Sequence, residues 1–431
     1  IPYTADLYVP GYFEVDMKKG DTIIFSAGAS EVNTRQLTKM YEDEIKTRTP
    51  RTSFYNCLKN SAKQFYMTNA DGHYLFAGYP WFKVRARDEF IALPGCTLSN
   101  HHRPDFEAIM DTAKEAFTRW METGEPDKHL QGIDLPDVPL WAAWAIQRYS
   151  HDTDVPTARE RYGELVAQLI DFIIDGKHPN LQVDDNGLVR TDGTRQPMSW
   201  MDSARPDGTP LIPRTGYLVE FNALWYNALM FLLQMYADDK QMQSRVERWQ
   251  KISDAYAESF APTFLNDYGY LYDYVNGSYT DLSVRPNMVI AVGVDHTPLD
   301  RRQRKRILDF ITRELLTPKG LRTLSPNSYG YNPWYVGNPE QREKAYYSGS
   351  ARPWLMGFYC HAYVKVFGIG GLSFVNRMMI GFEDEMSQGA IGTLSELYDG
   401  NPPFIGRGAV SFAANVGEIL RVLRLLKNLD V

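Results

Sequence analysis

The sequence predicts an all-α protein, a toroid of paired helices, and three observations predict it. Apolar residues recur at three- and four-residue steps through about a dozen segments, the mark of helices that turn one face to a core. Every second connection between them is long, so paired helices would gather their long loops at one end. No repeat of fixed period appears, which argues against a solenoid.

In chain order, residues 1–30 read as strand and turn: Leu7-Tyr8-Val9, Tyr12-Phe13-Glu14-Val15, then Thr22-Ile23-Ile24-Phe25-Ser26 after a Lys19-Gly20-Asp21 turn. Two or three strands do not hold a sheet alone, so this β segment is expected to end a larger β-domain or to form a small apron on the helical body. Residues 31–52 carry mixed charge and read as a linker with a helix, and residues 53–431 form the helical body. Helices are expected near 54–69, 87–98, 105–123, 137–150, 157–175, 216–237, 240–262, 285–294, 299–316, 351–367, 370–386 and 408–428. The long loops between them, at 70–86, 178–215, 264–284, 318–350 and 391–407, are rich in Gly, Pro, Asn and aromatic residues. Arg301-Arg302-Gln303-Arg304-Lys305-Arg306 opens a helix above Ile307, Phe310 and Ile311, and so reads as a solvated face.

Composition narrows the function. A net charge of −7 argues against a general nucleic-acid binder. Cys57, Cys96 and Cys360 lie far apart without paired spacing, which points to buried thiols, no zinc site and a cytoplasmic setting. No run approaches a membrane span, so no membrane partner is expected. No phosphate loop, metal-ligand cluster or Ser/His/Asp order emerges, and neither metal nor cofactor is expected. The chain holds 9 Trp, 27 Tyr and 21 Phe, often beside Asp, Asn, Arg or Gly. Most of these rings belong to a core, yet flat rings beside hydrogen-bonding groups also suit the apolar face and hydroxyl edge of a pyranose.

The densest chemistry lies between Pro197 and Tyr236. Asp202 follows Trp200-Met201, apolar neighbours that would favour a raised pKa and a retained proton; the alternative is a helix cap or loop stabiliser. Arg214, Glu220 and Asn222 sit within or beside an apolar helix, either binding a ligand or forming a buried network. Trp81, Trp200 and Trp225 are stacking candidates, with Trp225 the one best placed for a core.

Trp200-Met201-Asp202, with Pro213-Arg214 and Gly216 leading into Val219-Glu220-Phe221-Asn222-Ala223-Leu224-Trp225-Tyr226-Asn227, resembles the amylo-α-1,6-glucosidase domain of glycogen debranching enzymes. Trp81-Phe82 with Arg87-Asp88, Asp137 with Leu140-Trp141, Tyr272-Asp273, Arg285-Pro286-Asn287 and Ser395-Glu396-Leu397-Tyr398-Asp399-Gly400 extend the resemblance over roughly residues 5–425. It implies an (α/α)6 barrel, preceded in such families by a β-sandwich, and an inverting glycosidase with Asp202 as general acid and Glu396 as general base. It also implies an α-glucan or gluco-oligosaccharide as partner, and a substrate pocket drawing on Trp81, Arg87, Asp88, Trp200, Arg214, Glu220, Asn222, Arg352 and Trp354. Three departures stand out. Arg85-Ala86 replaces the family's Trp-Gly, Tyr347 and Arg352 stand in the motif Ala345-Tyr346-Tyr347-Ser348-Gly349-Ser350-Ala351-Arg352-Pro353-Trp354, and Phe412 and Ala414 replace its Gln and Trp. Arg352 needs a distant acid, and Asp88, Glu220 and Glu396 are the candidates; the expected partner is one other than Glu396, narrowing the pocket. Two readings follow: an α-glucosidase acting on α-1,6-linked glucose or another α-glucoside, and a carbohydrate-binding relative with weakened turnover.

Overall fold

The computed structural model describes residues 8–28 and 30–429. Among the described residues fifteen helices follow one another: α1 (Leu37–Thr47), α2 (Phe54–Lys63), α3 (Ala86–Cys96), α4 (Arg103–Thr123), α5 (Val138–Asp152), the single turn α6 (Val155–Ala158), α7 (Glu164–Ile174), α8 (Val219–Tyr236), α9 (Gln243–Phe264), α10 (Met288–Gly293), α11 (Arg301–Glu314), α12 (Pro339–Ala345), α13 (Leu355–Phe367), α14 (Leu372–Ile380) and α15 (Ala413–Leu429). The expected helix between 31 and 52 is α1. The expected helix at 157–175 is divided, with a π-helical turn at Arg159–Gly163 leading into α7.

Six helices close a circuit of side-by-side contacts: α3 packs on α5, α5 on α8, α8 on α10, α10 on α13, α13 on α15, and α15 returns to α3. Their sequences explain their place. Every residue of α3 is buried, including Arg87, Asp88 and Glu89, and α8 and α13 are apolar around most of their circumference. Helices α4, α7, α9, α11 and α14 each bury one stripe against this circuit. In α11 the Asp300–Gln303 capping box starts the helix, Ile307, Leu308 and Ile311 face inward, and the arginine-rich run faces water as expected. The tightest contact, between α3 and α15, depends on glycine. A Cβ on Gly95 would lie 1.8 Å from the Gly417 carbonyl oxygen, and one on Gly417 would lie 2.6 Å from that of Ala92.

The long loops precede the inner helices, and they are not structureless. A five-stranded antiparallel sheet runs through Leu316–Thr317, Gly320–Arg322, Ala351–Arg352, Leu397–Tyr398 and Gly406–Arg407. Ala351 pairs with Tyr398, which brings the strand of Arg352 beside the strand that Glu396 immediately precedes. Gly78–Tyr79 pairs with Ser411–Phe412, tying the loop before α3 to the loop before α15.

Two expectations are corrected. Among residues 8–28 no strand forms; Tyr8, Val9, Tyr12, Phe13 and Phe25 are exposed, because no neighbouring sheet offers them a partner. Leu7 lies outside the described residues. The stretch Leu355–Ser387 is apolar enough over its length to cross a membrane, contrary to the reading that no run approaches a span. It is divided at Gly368, whose φ is +61°, and its first part is α13 of the inner circuit. The three cysteines are buried and free.

Candidate active site

Inner helices begin where the loops gather, and the candidate site lies there. Arg85, Arg87 and Asp88 come from the first turn of α3, Trp200 from the loop before α8, and Tyr346, Tyr347, Arg352 and Trp354 from the segment before α13. Glu396, Phe412 and Ala414 come from the segment before α15. Together with Ile91 these side chains line one cavity of about 30 Å³.

Two arginines of the first turn of α3 do different work. Arg87 makes a bidentate pair with Asp137, Nε to Oδ2 at 2.7 Å and Nη2 to Oδ1 at 2.8 Å, and donates to the Met198 carbonyl. Both partners are buried, so this pair fixes α3 to the start of α5. Arg85 reaches across the cavity. Its Nη2 lies 2.6 Å from Asp202 Oδ2 and its Nε 3.2 Å from Asp88 Oδ2. The Tyr347 hydroxyl donates to Asp202 Oδ1 at 2.7 Å.

These contacts reverse the expected protonation of the two candidate carboxylates. Burial alone pushes the Asp202 pKa up, but Arg85, the Tyr347 hydroxyl and Arg87 outweigh it and leave Asp202 below the usual carboxylate value. Sequence neighbours suggested a raised pKa; the residues that set it are distant in sequence. Glu396 goes the other way. Burial, reinforced by the charges of Asp88 and Asp202, pushes it up to about 8, although the Ala409 N–H opposes this by donating to Oε2 at 2.9 Å. A Cβ on Gly408, at φ +71°, would lie 2.3 Å from that oxygen, so only glycine lets the strand pass under the carboxylate. Asp88 is also raised, by burial against the pull of Arg85 and Arg87.

Arg352 departs from expectation as well. Among the described residues its one acid within ion-pair reach is Glu396, Nη1 to Oε1 at 3.5 Å, and neither Asp88 nor Glu220 takes it. Its firm bond is from Nη2 to the Tyr346 carbonyl at 2.9 Å, and its guanidinium lies 4.2 Å from the Tyr346 ring centroid and 4.8 Å from that of Tyr347. The acid it approaches is thus Glu396, contrary to the expected pairing elsewhere, and two aromatic faces and a carbonyl supply the rest of its surroundings.

Several of the expected substrate contacts lie outside the cavity lining. Arg214 is held by Glu220 and Asp273, with Nη2 to Glu220 Oε2 at 2.8 Å and Nε to Asp273 Oδ2 at 2.6 Å, and it also donates to Ser199 Oγ. Asn287 joins Asp273 at 2.7 Å and accepts from Trp200 Nε1 at 2.7 Å. Arg214 and Glu220 therefore position the Trp200–Asp202 loop from behind. Asn222 bonds the backbone of Val189 and Leu218, which fixes the short strand Val189–Arg190 to α8. Trp225 donates to the Gly187 carbonyl in the core. Trp81 is 59% exposed and does not line the cavity, whereas Trp200 and Trp354 do, edge to face at 5.2 Å. Sequence reasoning passed over Tyr346 as a cavity wall and Asp273 and Asn287 as partners of the arginine. The latter two stood in recognised motifs, but nothing in their spacing named what they bond.

Carboxylates, arginines and aromatic walls meet at the loop end of a helical ring, an arrangement suited to the hydroxyl edge and apolar face of a sugar. Residues 59–421 match the family described as amylo-alpha-1,6-glucosidase, and the chain belongs to it. The glycogen debranching enzyme of Saccharomyces cerevisiae is 24% identical over 237 residues, which cover 45% of this chain and 15% of the yeast protein. Among solved structures, the GH63 mannosylglycerate hydrolase of Thermus thermophilus in complex with glucose shares the fold. Its TM-score is 0.57 at 13% identity, over 84% of this chain and 99% of that one. An uncharacterized conserved protein from the same organism gives a TM-score of 0.56 at 14% identity, with the same two coverages.

Proposed function

We propose that the protein is an inverting α-glucosidase that removes α-1,6-linked glucose from glycogen-like or related α-glucans, with residues 53–431 forming an (α/α)6 barrel. The observation that carries this reading is the approach of Asp202 to the walls of the cavity that Glu396 lines. Asp202 is bonded to two of those walls, Arg85 and Tyr347. Closure of the inner helical circuit supports the barrel, and the sparse thiols support a cytoplasmic setting.

Asp202 is the general acid of this reading and Glu396 the general base. Inversion needs Asp202 to protonate the leaving glycosidic oxygen while Glu396 takes a proton from the water that attacks the anomeric carbon. The pair holds one proton near neutral pH, the number required, but the resting arrangement keeps it on Glu396. A sugar ring must displace Arg85 from Asp202, because the cavity is too small for a pyranose beside it. Losing that cation and gaining an apolar neighbour both raise the Asp202 pKa and bring the proton to it.

This gives a pH prediction. The kcat/KM profile should be a bell whose upper limb falls near the value of about 8 held by Glu396. Arg85→Met removes a cation that lowers Asp202, so the acid limb should move to higher pH. An unmoved limb would mean Arg85 does not govern the titrating group.

Arg352→Trp, assayed on several α-glucosides, is expected to change their ranking while activity persists, since the guanidinium and its two tyrosines narrow the cavity. An unchanged ranking with uniform rates would remove Arg352 from substrate choice. The function itself is tested by glucose release from isomaltose, panose and a limit dextrin. A second reading, a carbohydrate-binding relative with weakened turnover, draws on Arg85 filling the cavity; binding of these sugars without glucose release would support it.

A further inference from the structure

The inner helices carry a second polar cavity at their other ends. Where α3, α5, α13 and α15 start beside Glu396 and Asp202, their later turns supply Pro94, Arg148, His361, Arg421 and Arg424 to a cavity of about 250 Å³. The 1.5 Å rise per residue along α5, from Asp137 to His151, puts the two sites roughly 20 Å apart.

Positive charge exceeds negative charge around it. Asp152 is shared by Arg103 and Arg424, at 3.1 and 2.6 Å. Asp295 is shared by Arg148 and by Lys365, the latter at 3.0 Å, with His151 at 3.2 Å. Glu418 serves Arg421 at 2.6 Å. Of the side chains that line the cavity, three are guanidinium groups, Arg148, Arg421 and Arg424, and one is a carboxylate, Asp152; Asp295 and Glu418 reach Arg148 and Arg421 from behind the lining. Arg148 and Arg421 lie over the same Trp144 ring, at 5.8 and 5.3 Å, which concentrates the charge.

Helix C-termini explain part of this cluster, since cations there favour the macrodipole. Lys365 donates to the Gly293 and Val294 carbonyls at the end of α10, and Arg424 donates to the Leu98 carbonyl. They do not explain Arg148, whose side chain is 9% exposed and whose Nε has no hydrogen-bond partner among the described residues. His361 Nε2 is likewise buried and without a partner among them. Burial and the surrounding cations pull His361 and Lys365 well below their ordinary values, the response of bases crowded by like charge.

We propose that this cavity is a second ligand site, which takes a small phosphate-bearing anion, either inorganic phosphate or a sugar phosphate. Three guanidinium groups beside the single lining carboxylate of Asp152 suit the nearly double charge of a phosphate group at neutral pH better than the single charge of a carboxylate. Guanidinium forks suit phosphate oxygens. The volume, about eight waters at roughly 30 Å³ each, admits a phosphate together with a small sugar.

The test is thermal melting and calorimetric titration of the whole chain with potassium phosphate and with glucose 1-phosphate, at constant ionic strength, with chloride as control. Phosphate is expected to raise the melting temperature saturably, as a ligand of the folded state does, and chloride is not. Arg148→Gln should weaken binding by about tenfold or more, the loss that follows removal of one charge-assisted hydrogen bond. Because Arg148 also holds Asp295, His361→Gln, which breaks no ion pair, is measured beside it and should weaken binding in the same direction. Tighter binding of glucose 1-phosphate than of phosphate assigns the site to a sugar phosphate, and equal binding to phosphate itself. No saturable shift with either anion, or equal affinity in wild type and both variants, would overturn the proposal. So would loss of binding in Asp202→Asn, which would place the ligand in the first cavity instead.

Discussion

Glu396→Gln is expected to lower kcat by about 10²–10⁴-fold and to leave the folded structure intact. The amide cannot take a proton from water, yet it copies the neutral carboxyl that the buried site favours. Stability separates this from simple damage. The folded pKa of Glu396, about 8, lies above its ordinary value of 4.5. Stability from the buried neutral form is therefore full below pH 4.5 and is lost as pH rises through 8. The variant has no such loss, so its melting temperature relative to wild type should rise across that window. Asp202→Asn should cost a similar factor in kcat, without the alkaline gain in stability. Near-normal turnover in either variant would remove that residue from the mechanism.

Asp273→Ala is expected to destabilise the fold by about 3–5 kcal/mol, because it breaks a buried ion pair and leaves charge uncompensated. Asp273 holds Arg214 through two oxygens and accepts from Asn287, and both it and Arg214 are almost fully buried. The damage should reach the site, since Asn287 positions the Trp200 indole two residues before Asp202. Chemical denaturation measures the first effect. The second appears as a loss in kcat when the variant is assayed well below its melting temperature. A stability change near zero would mean that the network relaxes around the lost carboxylate.

The helical body was readable in the sequence because apolar spacing is local. The expected helices at 105–123, 216–237 and 240–262 correspond to α4, α8 and α9, with ends displaced by up to three residues. The one at 54–69 stops as α2 at Lys63, and Tyr66–Asn69 forms a strand paired with Gly72–Leu75. The short strands were not readable. Ala351–Arg352 and Leu397–Tyr398 are two residues each, too brief for an alternating pattern, and they exist because distant loops pair. The same distance divides what was seen of the site. Arg87, Asp88, Trp200, Arg352, Trp354 and Glu396 do gather at one cavity, as the family motifs implied. Arg214 and Glu220 carry polar groups as marked as any of these, but they bond each other and Asp273 behind the wall. A side chain's type is visible in sequence; which way it points depends on a partner 59 residues away. The protonation of Asp202 failed as an expectation for that reason, since Arg85 lies 117 residues from it.

The central claim is an inverting attack by water on an α-glucoside, with Asp202 and Glu396 on either side of the bond. Proton NMR of isomaltose or panose mixed with the enzyme, recorded before mutarotation, tests it most directly. β-Glucose is expected as the first product, with its signal decaying toward the equilibrium mixture. α-Glucose appearing first would contradict inversion, and the absence of any released glucose from either sugar would contradict the α-1,6-glucosidase.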